Sequence, residues 1–182
     1  MSRSKNVTPV IPTSATLEEL VLAGASQAVA PYIEGPLTDI TAIAKAIKPC
    51  WEERAHFWTI VVAYRVRDEY PTLLPDGVSW EDWLEEITGI TEAAARIYYD
   101  VWNTPCVCEA YLDRSISLLD AKIILNQRAK LGVLANDPTT AKRLLPIIEC
   151  AKMAHATGKA IYVQKAIQAC GDAESERLRL GG

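Results

Sequence analysis

Apolar residues recur at steps of three and four along most of the chain, and nowhere do they alternate long enough to read as a strand. Leu17, Leu20, Val21, Ala25 and Ala28 follow that spacing after Thr16-Leu-Glu-Glu19, a capping box. Pro31 is expected to stop this helix, and a short helix at about 38–47 follows Gly35-Pro36 and ends at Pro49. The longest clean helix is expected at about 50–70. There Trp51, Ala55, Trp58, Val62 and Arg65 or Val66 form a stripe that Phe57, Ile60, Val61 and Tyr64 widen, as suits a central core helix. Pro75-Asp-Gly77 supplies a turn. Ser79 then caps a helix whose inward face is Trp80, Trp83, Leu84 and Ile87. Gly89 suits the left-handed residue that ends helices. Thr91 caps a helix at 92–102 with Ala94, Ile97, Tyr98 and Val101 expected inside.

The last third continues in the same way. Thr104 can cap a short helix near 105–113. Ser115 or Ser117 starts a helix at 116–131, with Leu119, Ile123, Ile124 and Leu131 at core spacing and Gly132 closing it. Asp137-Pro138 opens a helix running towards Ala156, bent or restarted at Pro146. A last helix near 159–170 is expected to end at Gly171. The chain therefore reads as all-α, with about eight helices. Residues 1–15 read as a mobile arm, 16–170 as a single all-helical domain and 171–182 as a frayed tail. Within the domain lie a helix-turn-helix-like unit at 79–103 and a basic helical part at 115–170.

A hydrophobic content of 49% in 182 residues leaves ample material for a core and excludes a wholly disordered chain. The longest uncharged run, Leu20 to Ile33, contains Gly24 and Pro31 and falls short of the ~20 apolar residues that a spanning helix needs. The start, MSRSKNVTPVIPTS, does not look like a secretory signal, so a cytoplasmic protein without membrane contact is expected.

Charge is uneven. Residues 50–103 hold four basic and eleven acidic groups, a net of −7, whereas 104–182 hold eleven basic and eight acidic, a net of +3. A phosphate-binding surface is therefore expected in the last third rather than the middle. Cys50, Cys106, Cys108, Cys150 and Cys170 are odd in number and include no CxxC, and neither His56 nor His155 sits at a zinc spacing. They are expected to be small buried hydrophobes in a reducing cytoplasm. His56 is expected to be packed, and His155 to complement a helix dipole. There is no Gly-rich phosphate loop, HExxH, GxSxG or EF-hand spacing. The carboxylate pairs Glu18-Glu19, Glu52-Glu53 and Glu85-Glu86 are adjacent and diverge on a helix. No enzyme activity, cofactor or metal is expected.

Trp80, Trp83, Leu84, Gly89, Ile90, Thr91, Ala95 and Tyr98, preceded by the long apolar helix, make the stretch over about residues 50–131 resemble helix-turn-helix regulatory proteins of phages and plasmids. The resemblance implies that the helix at 92–102 reads DNA, with Thr91, Glu92, Ala93, Arg96, Tyr99 and Asn103 outward. Thr91 and its helix N-terminus would hold a phosphate. Arg96 would meet a guanine edge, and Glu92 can accept from cytosine N4. Lys122, Arg128 and Lys130 offer further phosphate contacts if they converge. Acidic residues are the departure from the usual pattern: Glu81, Asp82, Glu85 and Glu86 repel phosphates unless they point away. The alternative is a helical interaction module: an adaptor, an oligomerising protein or an inhibitor that mimics nucleic acid. Its surface would be the acidic middle with Trp51, Trp58, Trp80, Trp83 and Trp102, although at least half of these are expected in the core. A homo-oligomer is compatible with both.

Overall fold

A computed structural model describes residues 27–48, 53–134, 137–158 and 160–181. These residues contain helices and turns and no strand, so the fold is all-α as expected. The arm at 1–15, the helix expected after Thr16, Cys50 and Trp51 lie outside the described residues. By contacts the chain divides into two units, one up to Tyr99 and one from Asp100 onward.

The first unit holds α1 (Pro31–Glu34), α2 (Ile40–Ile47), α3 (Glu53–Glu69), a single 3-10 turn (Pro71–Leu73), α4 (Trp80–Thr88) and most of α5 (Glu92–Trp102). Pro31 opens α1, where its missing N–H costs nothing. Helix α3 is the centre. Phe57, Trp58, Ile60, Val61, Val62, Ala63, Tyr64 and Val66 are all buried, because its apolar residues cover nearly the full circumference. Of its stripe candidates Val66 packs inside, while Arg65 turns to α1. Its Nη1 donates to the carbonyls of Tyr32 (2.8 Å), Ile33 (2.7 Å) and Gly35 (3.1 Å), capping that helix with positive charge. Glu69 holds the other side of the guanidinium at 2.8 Å. Trp80 is buried on α3 and its indole N–H finds the Ala63 carbonyl at 2.8 Å, which satisfies its polar edge inside the core.

The second unit holds α6 (Pro105–Leu112), α7 (Leu118–Asn126), α8 (Pro138–Ala141), a 3-10 turn (Lys142–Leu144), α9 (Leu145–His155) and α10 (Ala160–Leu180). Helix α10 packs along α9 and α7, and α6 touches both of those. Val107, Tyr111, Ile116, Ile124, Leu131, Leu144, Ile147, Ile148, Val163 and Ile167 are buried here. Pro146 lies in the first turn of α9, so the helix does restart there, after a 3-10 turn that absorbs the break.

Three differences from the sequence reading have clear causes. Ser117, not Ser115, caps α7 in a full capping box with Asp120, and that phase leaves Leu119 half exposed while Asp120 is buried. Helix α7 ends at Asn126 rather than near 131. Gln127 and Arg128 instead take 3-10 bonds to Ile124 and Leu125, and Gln127 tucks its side chain inside. Helix α10 does not end at Gly171 but runs to Leu180, so residues 171–180 are no frayed tail. Gly171 is buried against Gln127. A Cβ there would meet the Gln127 Oε1 at 2.8 Å and its Cγ at 2.9 Å, so glycine serves close packing, not termination. Beyond it, Glu174–Arg177 and Glu176–Arg179 pairs support the added turns.

Candidate nucleic-acid interface

The helix, three-residue connection and second helix lie where the sequence places them. Ser79 Oγ accepts the Asp82 N–H at 3.1 Å and donates to its carboxylate at 2.7 Å, which fixes the start of α4. Gly89 ends it at φ 67°, with its N–H on the Glu85 carbonyl at 2.8 Å. Thr88 Oγ1 donates to the Leu84 carbonyl at 2.6 Å and accepts the Ile90 N–H at 3.0 Å, so the chain is tied on both sides of the turn. Thr91 Oγ1 accepts the Ala94 N–H at 3.4 Å at the start of α5.

On helix α5 Val101 is buried and Ile97 and Tyr98 half-buried, as expected, but Ala94 is exposed and Ala95 is fully buried in its place; Tyr99 is half-buried as well. Tyr98 sits 6.4 Å from Phe57, centre to centre. Tyr99, expected outward, stacks on Tyr64 at 4.1 Å, and its hydroxyl donates to Asp68 at 2.9 Å. The Arg67 guanidinium lies over Tyr64 (4.3 Å), Tyr99 (5.0 Å) and Trp80 (5.2 Å), with Asp68 on its edge at 2.6 Å. This cluster joins α3, α4 and α5 and fixes which side of α5 is left open.

That open side carries Thr91, Ala93 and Arg96, all exposed. Arg96 makes no hydrogen bond or ion pair with another described residue. Glu92 and Asn103 are half-buried. The outer face of α4 shows Glu81, Asp82, Glu85 and Glu86, all exposed, opposite buried Trp80, Trp83, Leu84 and Ile87. Trp58, Trp80 and Trp83 are core residues, so these three do not form a partner surface.

The basic candidates of the second unit are mostly committed. Arg128 pairs with Asp100 at 3.3 Å and Lys130 with Asp172 at 2.8 Å. The Lys130 ammonium and the Gln168 amide hold the Asp172 carboxyl below its ordinary range. Lys122 is exposed and, among the described residues, makes no ion pair. Arg96 and Lys122 belong to different units.

Two arrangements in the second unit were not legible beforehand. A pocket of about 290 Å³ is lined by Ser117, Leu119, Asp120, His155, Gly158, Val163 and Gln164. The buried Asp120 Oδ2 accepts Ser117 Oγ at 2.8 Å and faces His155 Nδ1 at 3.2 Å. His155 thus does more than complement the end of α9. The serine hydroxyl is spent on the carboxylate rather than on the imidazole, so this is no activated nucleophile. The second arrangement is a disulfide between Cys150 and Cys170, which corrects the expectation that all cysteines are plain buried thiols. Cys108 fits that expectation and Cys106 is half-buried; burial pushes their thiols up to about 12 and about 11. Among the described residues no group of three or more His, Cys, Asp or Glu side chains is placed to hold a metal ion.

No protein-family model matches this chain, and neither a curated protein nor a solved structure does.

Proposed function

We propose that residues 79–103 form a DNA-reading helix-turn-helix and that the protein is a non-enzymatic DNA-binding regulatory or accessory protein of a phage, plasmid or other mobile element. The observation that carries this reading is the division of α5. Ala95, Val101 and the stacked Tyr99 anchor the helix, while Thr91, Ala93 and Arg96 at its first two turns are exposed, Arg96 without a hydrogen bond or ion pair to another described residue. The first turns of such a helix are the ones that reach base edges. Small side chains at 93 and 94 let the backbone approach a groove. Arg96 supplies a bidentate donor for guanine, and Thr91 with the helix N-terminus a phosphate seat.

The α4 carboxylates shape the expected behaviour. With Glu81, Asp82, Glu85 and Glu86 exposed, the unit neutralises few phosphates, so binding is weak above physiological salt and its salt slope is shallow. The test is a selection from a random duplex pool by the full chain at low salt. Enrichment of a motif with a guanine supports the reading; a pool that stays unenriched contradicts it.

The second reading is a protein-interaction module. It is favoured by the same four carboxylates, which occupy one face of α4 and suit a cationic partner. Replacing Glu85 and Glu86 by Gln separates the two readings. DNA affinity rises under the first, and capture of a basic protein partner falls under the second.

A further inference from the structure

Cys150, in the middle of α9, and Cys170, on α10, are bonded to each other, with Cα atoms 6.8 Å apart. Both are half-buried and so remain within reach of a small thiol. Of the other two described cysteines only Cys106 is half-buried, and both carry raised thiols. Cys108 is buried with its thiol at about 12. Cys106 sits at about 11, with its Sγ 3.4 Å from the Ala141 carbonyl. Thiols held that high are protonated at neutral pH and do not attack. Thiol chemistry in the second unit therefore converges on one pair.

That pair ties together helices whose packing also depends on α10. Ile147, Ile148 and Ala151 of α9 and Val163 and Ile167 of α10 are buried where the two helices pack. On either side of Cys170, a polar ladder fastens α10 to the turns that follow α7. Gln127 donates to Gln168 at 3.2 Å, Gln168 donates to Asp172 at 3.1 Å, and Lys130 donates to Asp172 at 2.8 Å. Gly171 lies under Gln127 in the same stretch.

We propose that the Cys150–Cys170 bond is a reversible redox clamp: a thiol–disulfide exchange site, with a low-molecular-weight thiol or dithiol as co-reactant, that sets how firmly α10 is held on α9 and α7. In the opening step a reductant thiolate attacks one sulfur. The S–S bond breaks, and the other cysteine leaves as a thiolate and takes a proton. A second reductant thiolate then attacks the mixed disulfide and releases the first cysteine. Two electrons and two protons enter the protein, and the reductant leaves as its own disulfide. Opening removes the covalent anchor two residues from Asp172, so the ladder and the turns beyond it lose their hold. This inference stands apart from the nucleic-acid reading.

The test uses the full chain, oxidised with oxidised glutathione or reduced with dithiothreitol, followed by thiol mapping, thermal unfolding and amide exchange. Closing a loop of this length is worth a shift of about 10 °C in midpoint. Reduction is expected to lower the midpoint by that amount and to speed amide exchange over 160–180 by about tenfold or more. Oxidised glutathione should restore both. Cys150→Ser and Cys170→Ser should match the reduced protein and ignore either reagent. If a variant fails to fold, the reduced native chain still gives the same readout. Free thiols at 150 and 170 after oxidation, unchanged exchange on reduction, or a loss that reoxidation does not reverse would each overturn the proposal.

Discussion

Tyr99 stacks on Tyr64 with ring centres 4.1 Å apart and planes inclined by only 14°. This contact pins the middle of α5 to α3, while Arg96, one turn earlier on α5, stays exposed. Tyr99→Ala is therefore expected to destabilise the first unit by about 2–4 kcal/mol through lost ring burial. Tyr99→Phe keeps the stack and loses the exposed bond to Asp68, for about 0.5–1 kcal/mol. Urea unfolding followed by tryptophan fluorescence measures both, and equal effects would contradict the stacking role.

Gly89 sits at φ 67° between α4 and α5. No atom lies near a Cβ there, so an alanine costs only backbone strain, about 1 kcal/mol. Gly89→Asn should cost less than Gly89→Ala, since asparagine tolerates the left-handed region. Equal losses in thermal unfolding would count against the turn geometry.

Gly171→Ala brings a different penalty. Alanine favours a helix by ~1 kcal/mol over glycine, yet here its Cβ displaces the buried Gln127 and breaks the Gln127–Gln168 bond. A net loss of about 1–2 kcal/mol is expected. Adding Gln127→Ala should recover part of it, so a double-mutant cycle reads the contact directly. Additive losses would mean that the two residues do not touch.

Acid should loosen α10 in a defined window. Lys130 and Gln168 hold the Asp172 carboxyl low, and Arg177 does the same for Glu174. A group whose folded pKa is depressed stabilises above its unfolded value, and that stability is lost as pH falls through the folded value. The contribution is thus complete at neutral pH and lost below about pH 4. Amide protection over 160–180, taken relative to the intrinsic exchange rate at each pH, should fall as pH drops below about 4. Asp172→Asn should remove part of the pH dependence.

What the chain discloses by itself is what acts locally. Ser79, Gly89, Thr91, Ser117 with Asp120, and Asp137 before Pro138 all cap or turn as their neighbours require. The apolar stretch 57–66 likewise announces a central helix. The misplacements share a cause, which is dependence on a partner remote in sequence. Gly171 looks like a helix end until Gln127 is laid across it. Tyr99 looks outward on a helical wheel until Tyr64 and Arg67 are placed. Asp120 with His155, and Cys150 with Cys170, become neighbours only when α7, α9 and α10 pack. At the candidate interface the outward places of Thr91, Ala93 and Arg96 were legible. The commitment of Arg128 to Asp100 and of Lys130 to Asp172 was not.

The central claim rests on Arg96, and fluorescence anisotropy with a duplex enriched by the selection, at low salt, tests it most directly. Arg96→Ala should leave thermal stability within about 0.5 kcal/mol, since the side chain is exposed and pairs with no other described residue. It should weaken binding by about 1–3 kcal/mol, roughly 10- to 100-fold, and relax the preference for guanine at one position. Unchanged affinity for Arg96→Ala, at a salt concentration where the native chain binds, would contradict the helix-turn-helix reading.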